Sequence, residues 1–274
     1  MKKRVRFDEI GYWSEVKLEI LKKYASAYST ILATRAKPPL YHIYIDAFAG
    51  AGVHISKTTQ EYVLGSPRNA LAVRPPFREY HLIDLDSNKA DALKRFVGSR
   101  PDVHIYTGDC NQILLKTVFP QVLFQNYRRA LCILDPYGLH VDFSVLRRAG
   151  EMKSIEVFLN FPVADMNRNV LWHDPEGVAE ADLGRMDRFW GDDSWRAAAY
   201  RSDTTLFGYP EKESNEAVAE AFRKRLKDIA GFKRVPPPLP MRNSKGAIVY
   251  YLLFASQQDT AENIILEIFE KYRS

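Results

Sequence analysis

Acidic side chains recur where the apolar runs of this sequence end. Asp46 ends "YHIYID", Asp84 and Asp86 end "HLIDLD", Asp109 ends "VHIYTGD" and Asp135 ends "CILD". The carboxyl ends of parallel strands meet at one edge of a sheet, so we expect these carboxylates to share a rim. A carboxylate after the second such strand can accept hydrogen bonds from both ribose hydroxyls, which makes Asp84 the candidate for that role. One acid alone is more often a helix N-cap, but four strand ends together indicate a nucleoside site.

A glycine loop follows the first of these runs. In "DAFAGAG", Gly50 and Gly52 leave the backbone bare, so that N–H groups can approach a ligand closely. Turns also use glycine for conformation alone, so the loop gains weight only beside the strand-end acids. Asp84 lies 32 residues after Gly52, farther than the roughly 20 residues typical of nicotinamide-binding domains. This spacing disfavours a dehydrogenase.

Alternating strands and helices must position these residues. Five strand-like runs alternate with four predicted helices, Ser66–Val73, Ser87–Val97, Asn111–Tyr127 and Ser144–Met152. The strands show little polar alternation, as expected when helices cover both faces of a sheet. The pattern predicts an α/β fold with a Rossmann-like, doubly wound and mostly parallel sheet.

The flanks divide the chain into four predicted parts. Residues 1–39 carry an amphipathic helix, whose apolar stripe consists of Ile20, Leu21, Tyr24, Tyr28, Ile31 and Leu32. Residues 40–163 form the cofactor-binding core, and residues 164–230, where the alternation stops, form a helical insertion or lid. Residues 231–274 add an antiparallel hairpin around "NSKG" and a final helix.

Composition sets wide bounds on function. The chain has 274 residues and a net charge of +5, which permits a nucleic-acid partner without requiring one. Its two cysteines, Cys110 and Cys132, are too few for a disulfide framework or a four-cysteine zinc site, so we predict no metal and a reducing cytoplasm. No apolar run approaches the roughly 20 residues that span a bilayer, and the start lacks a signal-peptide core.

From Tyr41 to Pro162, the order of these motifs resembles that of the class I S-adenosylmethionine-dependent methyltransferases. The resemblance implies S-adenosylmethionine as cofactor. It also implies three groups of cofactor-binding residues. They are Asp46, Phe48, Gly50 and Gly52 of the glycine loop, Asp84 and Leu85 at the second strand end, and Asp109 and Cys110 at the third strand end.

The tetrapeptide "DPYG" is similar to the Asp-Pro-Pro-Tyr motif of amino-methyltransferases that act on nucleic-acid bases, with one proline missing. The similarity implies that the Asp135 carboxylate and the Pro136 carbonyl accept hydrogen bonds from an exocyclic amine, while Tyr137 stacks on the base. The alternative is an ordinary turn from strand to helix with Tyr137 packed in the core.

A narrower resemblance extends over nearly the whole chain. The segments "IDAFAGAG", "GSPRNAL", "DPYG", "RFWG" and "YYLLFAS" look like those of the three-Cys-motif partner proteins. This resemblance implies a cysteine-motif protein as partner, and it leaves open a non-catalytic subunit that keeps the pocket to dock that protein. A nicotinamide-dependent oxidoreductase is the third hypothesis.

Basic pairs and tryptophans could serve a nucleic-acid substrate. The basic side chains occur at Arg128–Arg129 and Arg147–Arg148, and the tryptophans are Trp172, Trp190 and Trp195. Such basic residues lie more often on solvated helix faces than at phosphate-binding sites. Such tryptophans lie more often in the core of a subdomain than against bases.

Overall fold

A computed structural model describes residues 7–204 and 210–273 of the chain. Its strands, in chain order, are β1 (Asp8–Ile10), β2 (Tyr41–Asp46), β3 (Val53–Ser56), β4 (Tyr62–Leu64), β5 (Glu79–Asp84), β6 (Val103–Thr107), β7 (Arg128–Leu134), β8 (Ile155–Phe161), β9 (Tyr200–Thr204), β10 (Pro210–Lys212), β11 (Leu239–Arg242) and β12 (Ile248–Ala255). Its α-helices are α1 (Tyr12–Thr34), α2 (Ser66–Leu71), α3 (Ser87–Val97), α4 (Cys110–Ile113), α5 (Phe143–Met152), α6 (Val163–Asn169), α7 (Glu180–Trp190), α8 (Trp195–Ala199), α9 (Asn215–Asp228) and α10 (Asp259–Glu270).

The predicted α/β fold is confirmed. Seven strands form one sheet in the order β11-β12-β8-β7-β2-β5-β6. The five strands from β8 to β6 are parallel, while β12 runs antiparallel to β8 and β11 antiparallel to β12. The chain leaves β2 toward β5 and β6 on one side and returns to β7 on the other. Ligands bind where the strand order reverses in this way.

Apolar packing on both faces of the sheet explains why its strands lack polar alternation. Ile43 and Ile45 point into one buried cluster, with α5 and α9, whereas Tyr44 between them points into the other, with α1 and α10. Successive strand residues face opposite sides, so both layers of helices are anchored by the same strands.

The predicted helix Asn111–Tyr127 is wrong as one continuous element. The α-helix ends at Ile113, and a π-helical turn and two short 3-10 turns follow it. Pro120 offers no N–H and its ring crowds the carbonyl four residues earlier, which disfavours a regular α-helix through this position; it lies in the 3-10 turn Phe119–Gln121. Tyr127 then adopts a left-handed φ of 57°.

The predicted insertion contains strands as well as helices. Between β8 and β11 lie α6 to α9 and the antiparallel pair β9 and β10. Trp190 and Trp195 are buried in the core cluster, as the default interpretation held, whereas Trp172 is 41% exposed. The ring of Phe222 packs near those of Phe161 and Phe189, so the insertion shares a core with the sheet.

Candidate functional site

A cavity of about 450 Å³ lies at the carboxyl ends of β2, β5, β6 and β7. It is within the size range of small-molecule sites. Eight of the predicted site residues line it: Phe48, Gly50, Asp84, Leu85, Asp109, Cys110, Asp135 and Tyr137. The structure thus brings together all four strand ends and the glycine loop at one rim.

Asp84 is held by the backbone of two loops. The Gly50 N–H donates to Asp84 Oδ2 at 2.7 Å and the Asp86 N–H donates to Asp84 Oδ1 at 2.8 Å. Burial raises the pKa of Asp84, and these backbone donors oppose the shift. A carboxylate oxygen has two lone pairs, so each oxygen keeps capacity for one more donor.

The two glycines of the loop serve different purposes. Gly50 has a φ of +61°, and a Cβ there would meet nothing within 4 Å, so the bare backbone borders open space. Gly52 has a φ of +76°, and a Cβ there would lie 2.9 Å from Leu93 Cδ2. Gly52 is therefore favoured by its left-handed φ and by its close packing against Leu93 of α3, and it does not line the cavity.

Asp46 lies beneath the loop instead of on the cavity wall. Its side chain is fully buried and accepts hydrogen bonds from the Phe48 N–H at 3.2 Å and the Tyr44 hydroxyl at 3.3 Å. Burial raises its pKa to about 6. Its contacts fix the conformation of the loop rather than reaching the cavity.

The third strand end supplies Asp109 and Cys110. Asp109 caps α4, because its Oδ1 accepts from the Gln112 N–H at 3.0 Å. Cys110 is buried, and burial raises the pKa of its thiol to about 12. The thiol is therefore protonated at neutral pH and serves as an apolar wall.

Asp135 forms an ion pair that the sequence interpretation missed. Lys17 Nζ lies 2.6 Å from Asp135 Oδ1 and 2.5 Å from Oδ2. Burial alone would lower the pKa of Lys17, but the Asp135 carboxylate raises it above its ordinary value. The available signal was position: Lys17 precedes Ile20 and Leu21 by three and four residues, on the apolar stripe of α1.

The remaining residues of "DPYG" separate in the structure. Pro136 is buried and does not line the cavity, and its carbonyl accepts from Asn160 Nδ2 at 3.0 Å. Tyr137 is 75% exposed at the cavity rim, so the alternative that packs it in the core is wrong. Its hydroxyl lies 3.3 Å from Asp8 Oδ2.

The insertion supports this turn from behind. A Cβ at Gly138 would lie 2.7 Å from Asp165 Oδ2 of α6. The same oxygen accepts from the Leu139 N–H at 3.3 Å and from Arg185 of α7 at 3.2 Å. The conformation after Asp135 therefore depends on α6 and α7.

The N-terminal segment covers the cavity. Ile10, Ser14, Lys17 and Leu18 contribute to its wall. Strand β1 pairs in parallel with β3, which directly follows the glycine loop. Asp8 Oδ2 of β1 lies 2.7 Å from Lys89 Nζ of α3. This segment gave no motif in the sequence, because its role follows from where the fold places it.

His54 of β3 also lines the cavity. Its Nδ1 is buried and has no hydrogen-bond partner among the residues that the structure describes. Burial lowers the pKa of its imidazole, so the ring is neutral at pH 7. It can donate or accept a single hydrogen bond at a ligand.

The described ranges, 7–204 and 210–273, lack two further features. They contain no group of three or more His, Cys, Asp or Glu residues arranged to hold a metal ion. None of their helices combines the length and the apolar character needed to cross a bilayer.

The fold is similar to that of solved proteins at low sequence identity. A Legionella pneumophila protein of family DUF519 shares 13% identity and a TM-score of 0.52, with 93% of this chain and 92% of that chain covered. The methyltransferase domain of bacterial CtHen1-CN shares 11% identity and a TM-score of 0.43, with coverages of 89% and 100%. A putative methyltransferase from Thermobifida fusca shares 12% identity and a TM-score of 0.45, with coverages of 90% and 80%.

No protein-family model and no curated protein sequence matches the chain. At such identities, the Legionella protein supports a shared fold and nothing about activity, and the two lower TM-scores support no further conclusion.

Proposed function

We propose that the protein is an S-adenosylmethionine-dependent methyltransferase. One observation carries the proposal: a single cavity at the switch point of the sheet collects the glycine loop and the carboxylates of three further strand ends. This is where α/β folds bind nucleosides, and a ribose-binding carboxylate after the second core strand belongs to that arrangement.

The residues present fit the cofactor. Asp84 keeps a free lone pair on each oxygen for the two ribose hydroxyls, and open space borders the bare backbone of Gly50. Phe48 lies beside that loop and would face the methionine part. Leu85, which is 77% exposed, and Cys110 offer apolar surface to the adenine, while Asp109 would accept its amino group.

The chemistry asks little of the protein beyond alignment. When bound, the cofactor would supply a methyl group that its sulfonium activates for transfer to an amine nitrogen. The protein orients the acceptor nitrogen and excludes water. Asp135 can accept an N–H of the acceptor, because Lys17 engages only part of its lone-pair capacity and its side chain is 27% exposed.

The acceptor that we propose is an amine, specifically one on a nucleic-acid base. Support comes from Tyr137, an aromatic side chain exposed at the rim beside Asp135. Such a ring can stack on an extruded or single-stranded base. The net charge of +5 is compatible with a polyanionic substrate.

A second candidate is favoured by a specific observation. Both acceptor groups that the "DPYG" resemblance would assign to the amine already have partners within the chain, Asp135 with Lys17 and the Pro136 carbonyl with Asn160. A subunit that binds the cofactor without transferring its methyl group, and that docks a cysteine-motif protein as the family resemblance implies, would tolerate this arrangement.

The test is transfer of a labelled methyl group from S-adenosylmethionine to DNA, RNA and peptide. We expect label on nucleic acid, with a rate about tenfold lower for Tyr137→Ala because a stacking contact is lost. The matched control is Tyr62→Ala, which removes a tyrosine that is 72% exposed and does not line the cavity.

The outcomes separate the candidates. Cofactor binding without label on any acceptor would favour the non-catalytic subunit, and a complex with a cysteine-motif protein would strengthen that choice. Tighter binding of NAD than of S-adenosylmethionine would overturn both candidates in favour of an oxidoreductase.

A further inference from the structure

A second cavity lies at the opposite end of the parallel strands, beside their amino ends. It has a volume of about 330 Å³ and lies where β7 and β8 begin, next to Arg129, Ile155 and Glu156. Helices α1 and α10 border it on one side. Since strand ends of opposite polarity line the two cavities, this one is separate from the proposed methyl-transfer site.

The walls of this second cavity are aromatic and aliphatic. Helix α1 contributes Tyr24, Tyr28, Ile31 and Leu32, and helix α10 contributes Ala261 and Ile264. Ile31 belongs to the apolar stripe of α1 but remains 38% exposed. The stripe thus continues past the covered core into the cavity, where an apolar ligand body would bury it.

A carboxyl group lies among these apolar walls. The Tyr24 hydroxyl donates to Glu156 Oε2 at 2.6 Å, and the Ser256 hydroxyl donates to Glu156 Oε1 at 3.0 Å. In the described part of the chain, no basic side chain forms an ion pair with Glu156. Each oxygen keeps one unused lone pair, and the carboxylate has no counter-charge.

Two further polar atoms at this cavity have no partner among residues 7–204 and 210–273. They are the hydroxyl of Tyr28, a side chain only 6% exposed, and Gln257 Oε1. The amide nitrogen of Gln257 is already used, because it donates to Gly150 O and Gly231 O. Buried polar atoms of folded proteins almost always have partners. The Gln257 oxygen can only accept a hydrogen bond and therefore needs a donor, whereas the Tyr28 hydroxyl can donate or accept.

Three basic residues line this cavity, Arg35, Arg129 and Lys153, and in the described part of the chain none of them forms an ion pair with Glu156. The guanidinium of Arg129 lies 3.7 Å from the ring centre of Phe124 and donates to the Phe124 and Arg128 carbonyls. Arg35 and Lys153 are exposed. Within the described residues, the Gln257 oxygen therefore lacks a hydrogen-bond donor, and the Glu156 carboxylate can accept a further one. A positively charged donor would also supply the counter-charge that Glu156 lacks.

We propose that this second cavity binds a small organic ammonium ion with an aromatic or aliphatic body. Its N–H groups donate to Glu156, and its body packs between α1 and α10. The site is independent of the proposed methyl-transfer function.

Three probes of one shape test the charge. They are 2-phenylethylammonium, neutral 2-phenylethanol and anionic 3-phenylpropionate, each titrated into the full chain at pH 7.5 with ligand-observed NMR. We expect 2-phenylethylammonium to bind with a Kd of about 1 mM or tighter and the other two to bind about tenfold or more weakly. Equal binding of all three, preference for the anion, or no binding of the cation would overturn the proposal.

Variants locate the bound probe. Glu156→Gln keeps the shape of the side chain and should weaken the cation about tenfold, whereas Glu151→Gln, on an exposed glutamate of α5, should leave its Kd unchanged. Ala261→Met places a longer side chain beside the cavity without altering the carboxyl group, and should abolish binding. If both cavity variants bind the cation like the wild type, the site is elsewhere and the proposal fails.

Discussion

Carboxyl groups at the two ends of the parallel strands have different hydrogen-bond and ion-pair partners. At the carboxyl edge, Asp84 is held by two backbone N–H groups and Asp135 by the ammonium of Lys17. At the amino edge, Glu156 has only two neutral hydroxyls, and burial raises its pKa to about 7. A carboxylate that loses water stays ionised only where charge or strong donors replace that water.

Carboxyl groups that have such partners serve the structure, whereas a carboxyl group without them is available to a ligand. The Lys17–Asp135 pair fixes α1 over the cavity at the carboxyl ends of the strands, and part of the binding capacity of Asp135 is used in doing so. Among the described residues Glu156 has no cationic partner, so its ionisation lowers the stability of the fold.

The largest expected effect breaks the pair at the carboxyl edge. Lys17→Met leaves Asp135 without its counter-charge, and we expect the free energy of unfolding to fall by about 3 kcal/mol, toward the low end for buried pairs because Asp135 is partly exposed. Urea unfolding at pH 7 measures it. The double variant Lys17→Met with Asp135→Asn should recover most of the loss; equal losses in single and double variants would show that the pair itself contributes little.

The next effect concerns the amino edge and its pH dependence. Glu156 binds its proton more tightly in the folded chain, since its pKa rises from 4.5 to about 7. Its contribution therefore lowers stability as pH rises from about 5 to about 7, and stays constant above that range. We expect Glu156→Gln to remove about 2 kcal/mol of the difference in unfolding free energy between pH 5 and pH 8.

Glu151→Gln is the matched control for this pH dependence, because Glu151 is about half exposed. Asp46, whose pKa is also raised, contributes equally to wild type and variant, so their difference isolates Glu156. Identical pH profiles for wild type and Glu156→Gln would mean that Glu156 is not desolvated.

A smaller effect tests how the insertion supports Asp135. Gly138→Ala would place a Cβ 2.7 Å from Asp165 Oδ2, and we expect a loss of about 1–2 kcal/mol as the turn shifts. Gly184→Ala, inside α7, meets only Arg188 Nη1 at 3.7 Å and should stabilise the helix by about 0.5–1 kcal/mol. Thermal unfolding of both variants decides the matter, and a neutral Gly138→Ala would refute the support by Asp165.

The smallest effect loosens the cover of the cavity. Asp8→Asn removes an ion pair with Lys89 that is partly exposed to solvent, so we expect the binding free energy of S-adenosylhomocysteine to weaken by about 0.5 kcal/mol. Stopped-flow fluorescence should show a roughly twofold faster release of this ligand. Glu9→Gln on the same strand is the control. Unchanged release from the Asp8 variant would show that this pair does not retain the ligand.

The sequence predicted the parts of the fold that depend on local pattern. Strand ends marked by acids, the alternating elements and the antiparallel hairpin all follow from periodicity and turn residues. Pro120 was visible in the sequence, and the structure replaces the helix predicted across it by a π-helical turn and two 3-10 turns. Here a local steric rule outweighs periodicity.

The candidate site was predictable only as far as strand ends dictate it. Gly50 and Gly52 look equivalent in the sequence, yet one borders the cavity and the other packs against Leu93. The partner of Asp135 is 118 residues away in the chain. Pairings across such separations depend on how α1 packs over the sheet, which no local pattern specifies.

We propose that S-adenosylmethionine binds in the cavity at the carboxyl ends of the strands and that Asp84 holds its ribose. Calorimetric titration of S-adenosylmethionine and S-adenosylhomocysteine into wild type and Asp84→Ala tests it most directly. We predict measurable heat for both ligands with the wild type, and affinity lower by about tenfold or more in a variant that still folds. No heat and no competition with either ligand would contradict the claim, and equal affinity in the variant would contradict the assignment of Asp84 to the ribose.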